Sequence, residues 1–477
     1  MIDLKSLTIS KASEALAAKE FTSLELTEEY IGAIEASDLN AYITTTFDMA
    51  REQAGAADKA IAKGEQKPLT GIPLGIKDIF CTKGVRTTCA SRMLENFVPQ
   101  YESTVTRKFL DQNAVFLGKT NLDEFAMGSD SFTSYFGPPR NPYSPPGEFL
   151  TPGGSSGGSS AAVAGNLCLG ATGTDTGGSI REPASFTGIV GLKPTYGLVS
   201  RHGVIALGSS LDCPGPMAKT VEDAAILLQA MAGHDPMDAM TNPRPVPKYE
   251  LGKSIKGLRI GIPAEYREGG LHPDMARLWD DYAELLKKEG AQIFDISLPH
   301  TKYALPIYYI IQPCDASSNL ARYDGVKYGF RTGKPFKSLD EMYELTRTEG
   351  FGFEVKRRLI NGTTMLTEEF YEKAYVKAMK VRRVMMDEFK NTMNNVDVLL
   401  CPTVTGPAYA KGAKMDPVEV YMNDVYTVTA NMVGTPAVSI PVGATSDGLP
   451  LGLQLVGRWF DEQTILNLGN KMEEMAK

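Results

Sequence analysis

The chain has 477 residues, 43% of them hydrophobic and 22% charged, enough apolar side chain for a large core and far from the composition of a disordered or collagen-like polymer. Lys and Arg total 49 against 57 Asp and Glu, a net charge of -8, which argues against a broad basic surface for direct DNA or RNA binding. The six cysteines (Cys81, Cys89, Cys168, Cys213, Cys314, Cys401) form no C-x-x-C pair, so neither a metal site nor a disulfide scaffold is indicated.

The start, Met1-Ile2-Asp3-Leu4-Lys5, leads into polar periodic sequence with no apolar signal core. No run approaches the roughly 18 apolar residues of a membrane span, and a cytoplasmic chain with no membrane contact is expected. Residues 10–63 carry 3.6-period apolar spacing, and Thr22 with Glu25 forms a capping box, which predicts two or three helices. Short apolar runs at 71–76 and 114–118, punctuated by Gly and Pro, read as buried strands. The prolines at 243, 245 and 247 mark a surface connection near 240–256, a candidate boundary between lobes, followed by a strand at 258–263. A helix is expected over 274–290 and one or two more over 366–393. Three further buried strands, at 396–400, 437–442 and 452–456, are expected to return to the first sheet. The reading is α/β, with an N-terminal helical segment over 1–65 and an α/β domain over 66–477 forming one compact unit.

The densest signal is a pair of serine-bearing glycine loops, Gly153-Gly154-Ser155-Ser156-Gly157-Gly158 and Asp175-Thr176-Gly177-Gly178-Ser179-Ile180-Arg181. Glycines let a backbone approach a ligand closely and aim several N–H groups at one point. Neither loop is a phosphate loop, since no G-x-x-x-x-G-K-[ST] or G-x-G-x-x-G is present. Gly154-Ser155-Ser156-Gly157-Gly158 satisfies G-x-S-x-G, an elbow that requires a later His as base; His202, His234, His272 and His300 all follow it, none in a distinctive context. The other base is Lys77 in Gly75-Ile76-Lys77-Asp78, at the end of an apolar strand where desolvation lowers an amine toward neutrality.

Lys77, Ser155 and Ser179 in these contexts, with Gly191-Leu192-Lys193-Pro194-Thr195, resemble the amidase signature family. The segments 119–129, Ser209-Ser210-Leu211-Asp212, 350–358 and Tyr421-Met422-Asn423-Asp424 are similar to the branch that supplies the glutamine-hydrolysing A subunits of tRNA-dependent amidotransferases. Ser159-Ser160 and the surroundings of Phe353 depart from the commonest forms without touching a catalytic position. The resemblance implies the amidase signature fold, a central mixed β-sheet surrounded by α-helices. It implies Ser179 as nucleophile, Ser155 as a bridging serine beside a cis peptide, and Lys77 as base. The backbone N–H groups of Thr176, Gly177, Gly178 and Ser179 would form the oxyanion hole. Arg358 would hold the α-carboxylate of glutamine, with Arg357 as its neighbouring candidate, Asp424 the α-amino group, and Tyr308 would line the pocket. By the same resemblance the chain carries no cofactor. It joins subunits B and C in a heterotrimer, with ATP and Mg²⁺ at the partner, and meets misacylated tRNA only through that partner. Its ammonia would convert Glu-tRNA(Gln) to Gln-tRNA(Gln). A stand-alone amidase acting on another carboxamide is the alternative.

Overall fold

The computed structural model describes residues 2–268, 270–413 and 423–476; Tyr421 and Met422 lie outside them. Among the described residues, eleven strands form one mixed sheet. They are β1 (Tyr42–Thr45), β2 (Pro73–Lys77), β3 (Val115–Thr120), β4 (Gly170–Asp175), β5 (Val190–Lys193), β6 (Cys213–Ala218), β7 (Arg259–Pro263), β8 (Gln292–Ile296), β9 (Val398–Pro402), β10 (Ala437–Ala444) and β11 (Pro450–Gly457). Their order across the sheet is β1-β3-β2-β4-β6-β5-β10-β11-β9-β7-β8. Pairing is parallel for β3-β2-β4 and for β9-β7-β8, and antiparallel elsewhere. Helices surround the sheet, and most of the apolar side chains merge into a single core.

Each strand expected from an apolar run is present. β2 begins two residues later than the run because Gly71 takes φ 77°, a turn conformation that L side chains avoid. β9, β10 and β11 do return to the first sheet, and the irregular segment 240–256 leaves that sheet continuous on both sides of it. The capping box is formed: Glu25 N–H donates to Thr22 Oγ1 at 3.1 Å and Thr22 N–H to Glu25 Oε2 at 2.7 Å. The 274–290 pattern becomes helix Pro273–Lys288, with Pro in its first turn and His272 as N-cap. The 366–393 pattern becomes a π-helical turn, Tyr371–Val376, running into helix Lys377–Thr392. Besides the helices Ile9–Ala18, Ser23–Glu35 and Phe47–Ala62, the opening segment contributes β1, which pairs with β3. Its periodicity gave no sign of that strand.

Candidate active site

Lys77 closes β2, a strand wholly buried between two parallel neighbours, so its side chain has no solvent face. Its backbone N–H donates to Thr172 Oγ1 at 2.8 Å. Nζ lies 2.9 Å from Ser155 Oγ, 2.8 Å from Ser156 Oγ and 2.8 Å from Thr174 Oγ1. Burial lowers the amine to about 7, against a smaller opposing pull from Cys89, Asp123, Asp175 and Asp212. A neutral amine offers two hydrogens and one lone pair to three hydroxyls. Ser156 gives its own hydrogen to the Thr174 carbonyl at 3.3 Å and therefore accepts from Lys77. The Ser155 and Thr174 hydroxyls have no other hydrogen-bond partner among the described residues, so either is free to donate to the lone pair.

Ser155 is carried by the turn that enters helix Gly157–Ala164, and the Gly154–Ser155 peptide is cis. A side chain at Gly154 would collide with the Asp123 carboxylate, so the close approach, rather than flexibility, requires glycine there. Asp123 in turn accepts from Ser131 N–H at 3.0 Å and from the Thr133 hydroxyl at 2.8 Å, fixing the strap that backs the loop.

The second loop joins β4 to helix Arg181–Thr187. Asp175 and Arg181, both with no exposed surface, close it with a two-pronged ion pair, Nε to Oδ2 and Nη2 to Oδ1, each at 3.0 Å. Arg181 also donates to the Thr427 carbonyl and Gln454 Oε1, both at 3.0 Å, and to Asn431 Oδ1 at 2.7 Å. Burial alone would raise Asp175; the Arg181 charge and hydrogen bonds override it and hold the carboxyl at about 2. Asp175 Oδ2 further takes the N–H groups of Ile180 and Arg181. The preceding N–H groups, those of Thr176, Gly177, Gly178 and Ser179, donate to nothing among the described residues. Four consecutive unengaged donors on a largely buried loop are an arrangement that calls for an acceptor. Gly178, at φ 143°, admits no side chain because Thr427 fills the space; the Thr427 hydroxyl holds the Gly177 carbonyl at 2.7 Å.

The two loops meet through Ser156 N–H, which donates to the Ser179 carbonyl at 3.2 Å. The half-buried Ser179 hydroxyl and the Ser155 hydroxyl are not hydrogen-bonded to each other. Across the site, helix Ala304–Asn319 lays the Tyr308 ring against Gly177, where an added Cβ would sit 2.8 Å from Cζ. Helix Phe353–Met365 separates the two adjacent arginines. Arg357 is 32% exposed and forks onto Glu354, whereas Arg358 is 4% exposed and reaches inward, donating to Glu354 Oε1 at 2.7 Å and Gln312 Oε1 at 3.0 Å. Asp424 is buried, its Oδ2 taking the Ser129 hydroxyl at 3.2 Å. Burial pushes Asp424 up to about 7, with Ser129 and the Arg358 charge pulling the other way. Tyr308 feels both Arg358 and Asp424, so a cation and an acid flank the phenol that faces the donor loop.

Thr174, Gln312 and Thr427 entered no site expectation, and no local pattern marks them; they reach the site through strand pairing and helix packing. The histidines stand apart. His272 caps a helix, His300 pairs with Glu388 at 2.7 Å, His234 Nδ1 contacts the Thr241 hydroxyl, and His202 lies beside the Tyr101 ring. None hydrogen-bonds a serine of either loop. Among the described residues no cluster of His, Cys, Asp and Glu is set to hold a metal ion, and no helix is long and apolar enough to cross a membrane.

Residues 25–466 match the amidase family model. The A subunit of glutamyl-tRNA(Gln) amidotransferase from Rhodopseudomonas palustris (strain TIE-1) is 55% identical over 484 residues, covering 100% of this chain and 98% of the relative. Among solved structures, the A subunit of the Thermotoga maritima glutamyl-tRNA(Gln) amidotransferase superposes with a TM-score of 0.80 at 36% identity, over 98% of this chain and 94% of that one. A peptide amidase in complex with the competitive inhibitor chymostatin superposes with a TM-score of 0.85 at 29% identity, over 99% and 98%. With a family match across nearly its whole length and more than half its residues shared with such a relative, the chain belongs to the amidase family.

Proposed function

We propose that the chain is the glutamine-hydrolysing subunit of a tRNA-dependent amidotransferase. The observation that carries the chemistry is the buried Lys77 amine, lowered to about 7 and 2.9 Å from Ser155 Oγ. A serine hydroxyl near neutral pH needs a proton acceptor to attack an amide. Ser179 Oγ adds to the carboxamide carbon, its proton passes to Ser155 Oγ, and the Ser155 proton passes to Lys77 Nζ. The new C–O bond leaves an oxyanion facing the N–H groups of Thr176 to Ser179, where one donor is worth about 10²–10³ in rate. Collapse breaks the C–N bond, the proton returns along the same path, and ammonia departs. Water then cleaves the glutamyl ester by the same relay.

Arg358 and Asp424 support glutamine as substrate, because a buried cation and a buried acid match the two ends of an amino acid, which a simple amide does not have. Heterotrimer assembly with subunits B and C, ATP and Mg²⁺ at the partner, and tRNA held by that partner complete the proposal. The acidic net charge favours such a division. The test is co-expression with candidate B and C subunits and transfer of the ¹⁵N-labelled amide of glutamine to Glu-tRNA(Gln). The proposal expects transfer that Ser179→Ala abolishes. Full glutamine hydrolysis with no transfer would leave a stand-alone amidase.

A further inference from the structure

Gln312 stands one helical turn after Tyr308 on helix Ala304–Asn319 and has no exposed surface. Its Oε1 accepts from Arg358 Nη1 at 3.0 Å. Arginine has no acceptor to offer, so the amide cannot be turned the other way, and Nε2 is the end that faces elsewhere. That Nε2 is buried without a hydrogen-bond partner. The Gln312 stem packs by Gly208, where an added Cβ would lie 3.7 Å from Gln312 Cγ and 3.4 Å from the Thr176 methyl. Gln312 therefore lies between Arg358 and Gly208, against which the Thr176 methyl also packs.

What sets the Gln312 NH₂ apart from the other buried unpartnered polar groups of the chain is its place beside the Arg358 guanidinium. Beside Arg358 the complementary group is a planar anion with two oxygens. We propose that Gln312 is a specificity-determining residue for the substrate carboxylate: Oε1 fixes the Arg358 guanidinium, and Nε2 donates to one carboxylate oxygen while Arg358 takes the other. The inference rests on the glutamine reading above and adds to it a second donor for the same end of the substrate.

Gln312→Glu keeps an oxygen for Arg358, removes the N–H groups and sets a negative charge against the substrate carboxylate. It is measured with glutamine and with butyramide, a primary amide that has neither carboxylate nor ammonium. A hydrogen bond to a charged group is worth about 1.5–3 kcal/mol, so the KM for glutamine should rise about ten- to a hundred-fold with kcat little changed. The KM for butyramide should not move. Gln312→Met, which removes both bonds without adding charge, should give the same split, and a rise confined to the glutamate variant would be charge repulsion and would overturn the role given to Nε2. An unchanged KM for glutamine, or an equal rise for both substrates, overturns the role given to Nε2. Arg358→Ala run in parallel tests the underlying reading: if it too leaves the preference for glutamine over butyramide intact, the glutamine reading fails, whereas a lost preference there with none lost in the Gln312 variants sinks only this inference.

Discussion

A lysine at the end of an apolar strand is ordinarily a surface residue whose stem is buried and whose head reaches water. At Lys77 the strands on both sides remove that exit, and burial brings the amine to about 7. Asp424, also buried, is raised to about the same value. The signs coincide: Lys77 becomes a neutral base, and Asp424 a charged partner for an ammonium, only as pH rises through about 7. The account predicts that kcat/KM for glutamine climbs through that region with a limb steeper than one proton. Butyramide, which needs Lys77 alone, should show a one-proton limb of the same direction. Flat or falling profiles would contradict this. Lys77→Arg, always charged, should lose about 10²–10⁴ in rate. Substituting all four histidines should leave glutaminase activity largely intact, as none bonds a serine of the site; a dead variant that still folds would restore a histidine base. Lys77, Ser155 and Ser179 were picked out in the sequence because each sits in a distinctive glycine context. Gln312 and Thr427 were not, since Gln312 is placed by Arg358, 46 residues on, and Thr427 by Gly177, 250 residues back, with no local pattern at either.

The strand-turn-helix unit from β4 through Arg181–Thr187 shows how an element presents donors. Asp175 and Arg181 stand on either side of the turn, and their two-pronged pair consumes the N–H groups of residues 180 and 181 while leaving those of 176–179 free. Arg181→Ala leaves Asp175 buried without its cation, which costs about 3–5 kcal/mol. A urea midpoint lowered to that extent, with glutaminase activity lost, is expected; unchanged stability would mean that the turn is held by Thr427 and Asn431 alone. Local sequence revealed β2, β3, β7, β9, β10 and β11 because each is an apolar run. It did not reveal β4, Gly170–Asp175, or β6, Cys213–Ala218, whose glycines and prolines argue against strands. These two exist because they pair with each other along their whole length, and β5 reaches only Met217 and Ala218, leaving Pro214 and Pro216 outside its ladder. Packing overrode propensity at the centre of the sheet.

At the scale of the molecule, the opening segment is tied in by more than β1. The Asp223 carboxylate accepts from the N–H groups of Ile9 and Ser10 at 3.0 and 3.1 Å, and Lys219 Nζ reaches the Leu4 carbonyl at 2.6 Å. Both tryptophans, Trp279 and Trp459, lie in the second half of the sequence. With one sheet crossing both halves, urea unfolding followed by helix signal and by tryptophan fluorescence should give coincident midpoints. Loss of helix signal well before the fluorescence change would mark an independently unfolding segment.

If Ser179 receives the acyl group with Lys77 drawing its proton by way of Ser155, mass spectrometry of enzyme acid-quenched during glutamine turnover will find it there. A glutamyl ester is expected on the peptide bearing Ser179, absent in Ser179→Ala and, in samples quenched within the first turnover, formed far more slowly in Lys77→Ala, where both its formation and its cleavage lose the base. An ester found instead on Ser155 or Ser156, or formed as fast in the Lys77 variant, would overturn this path.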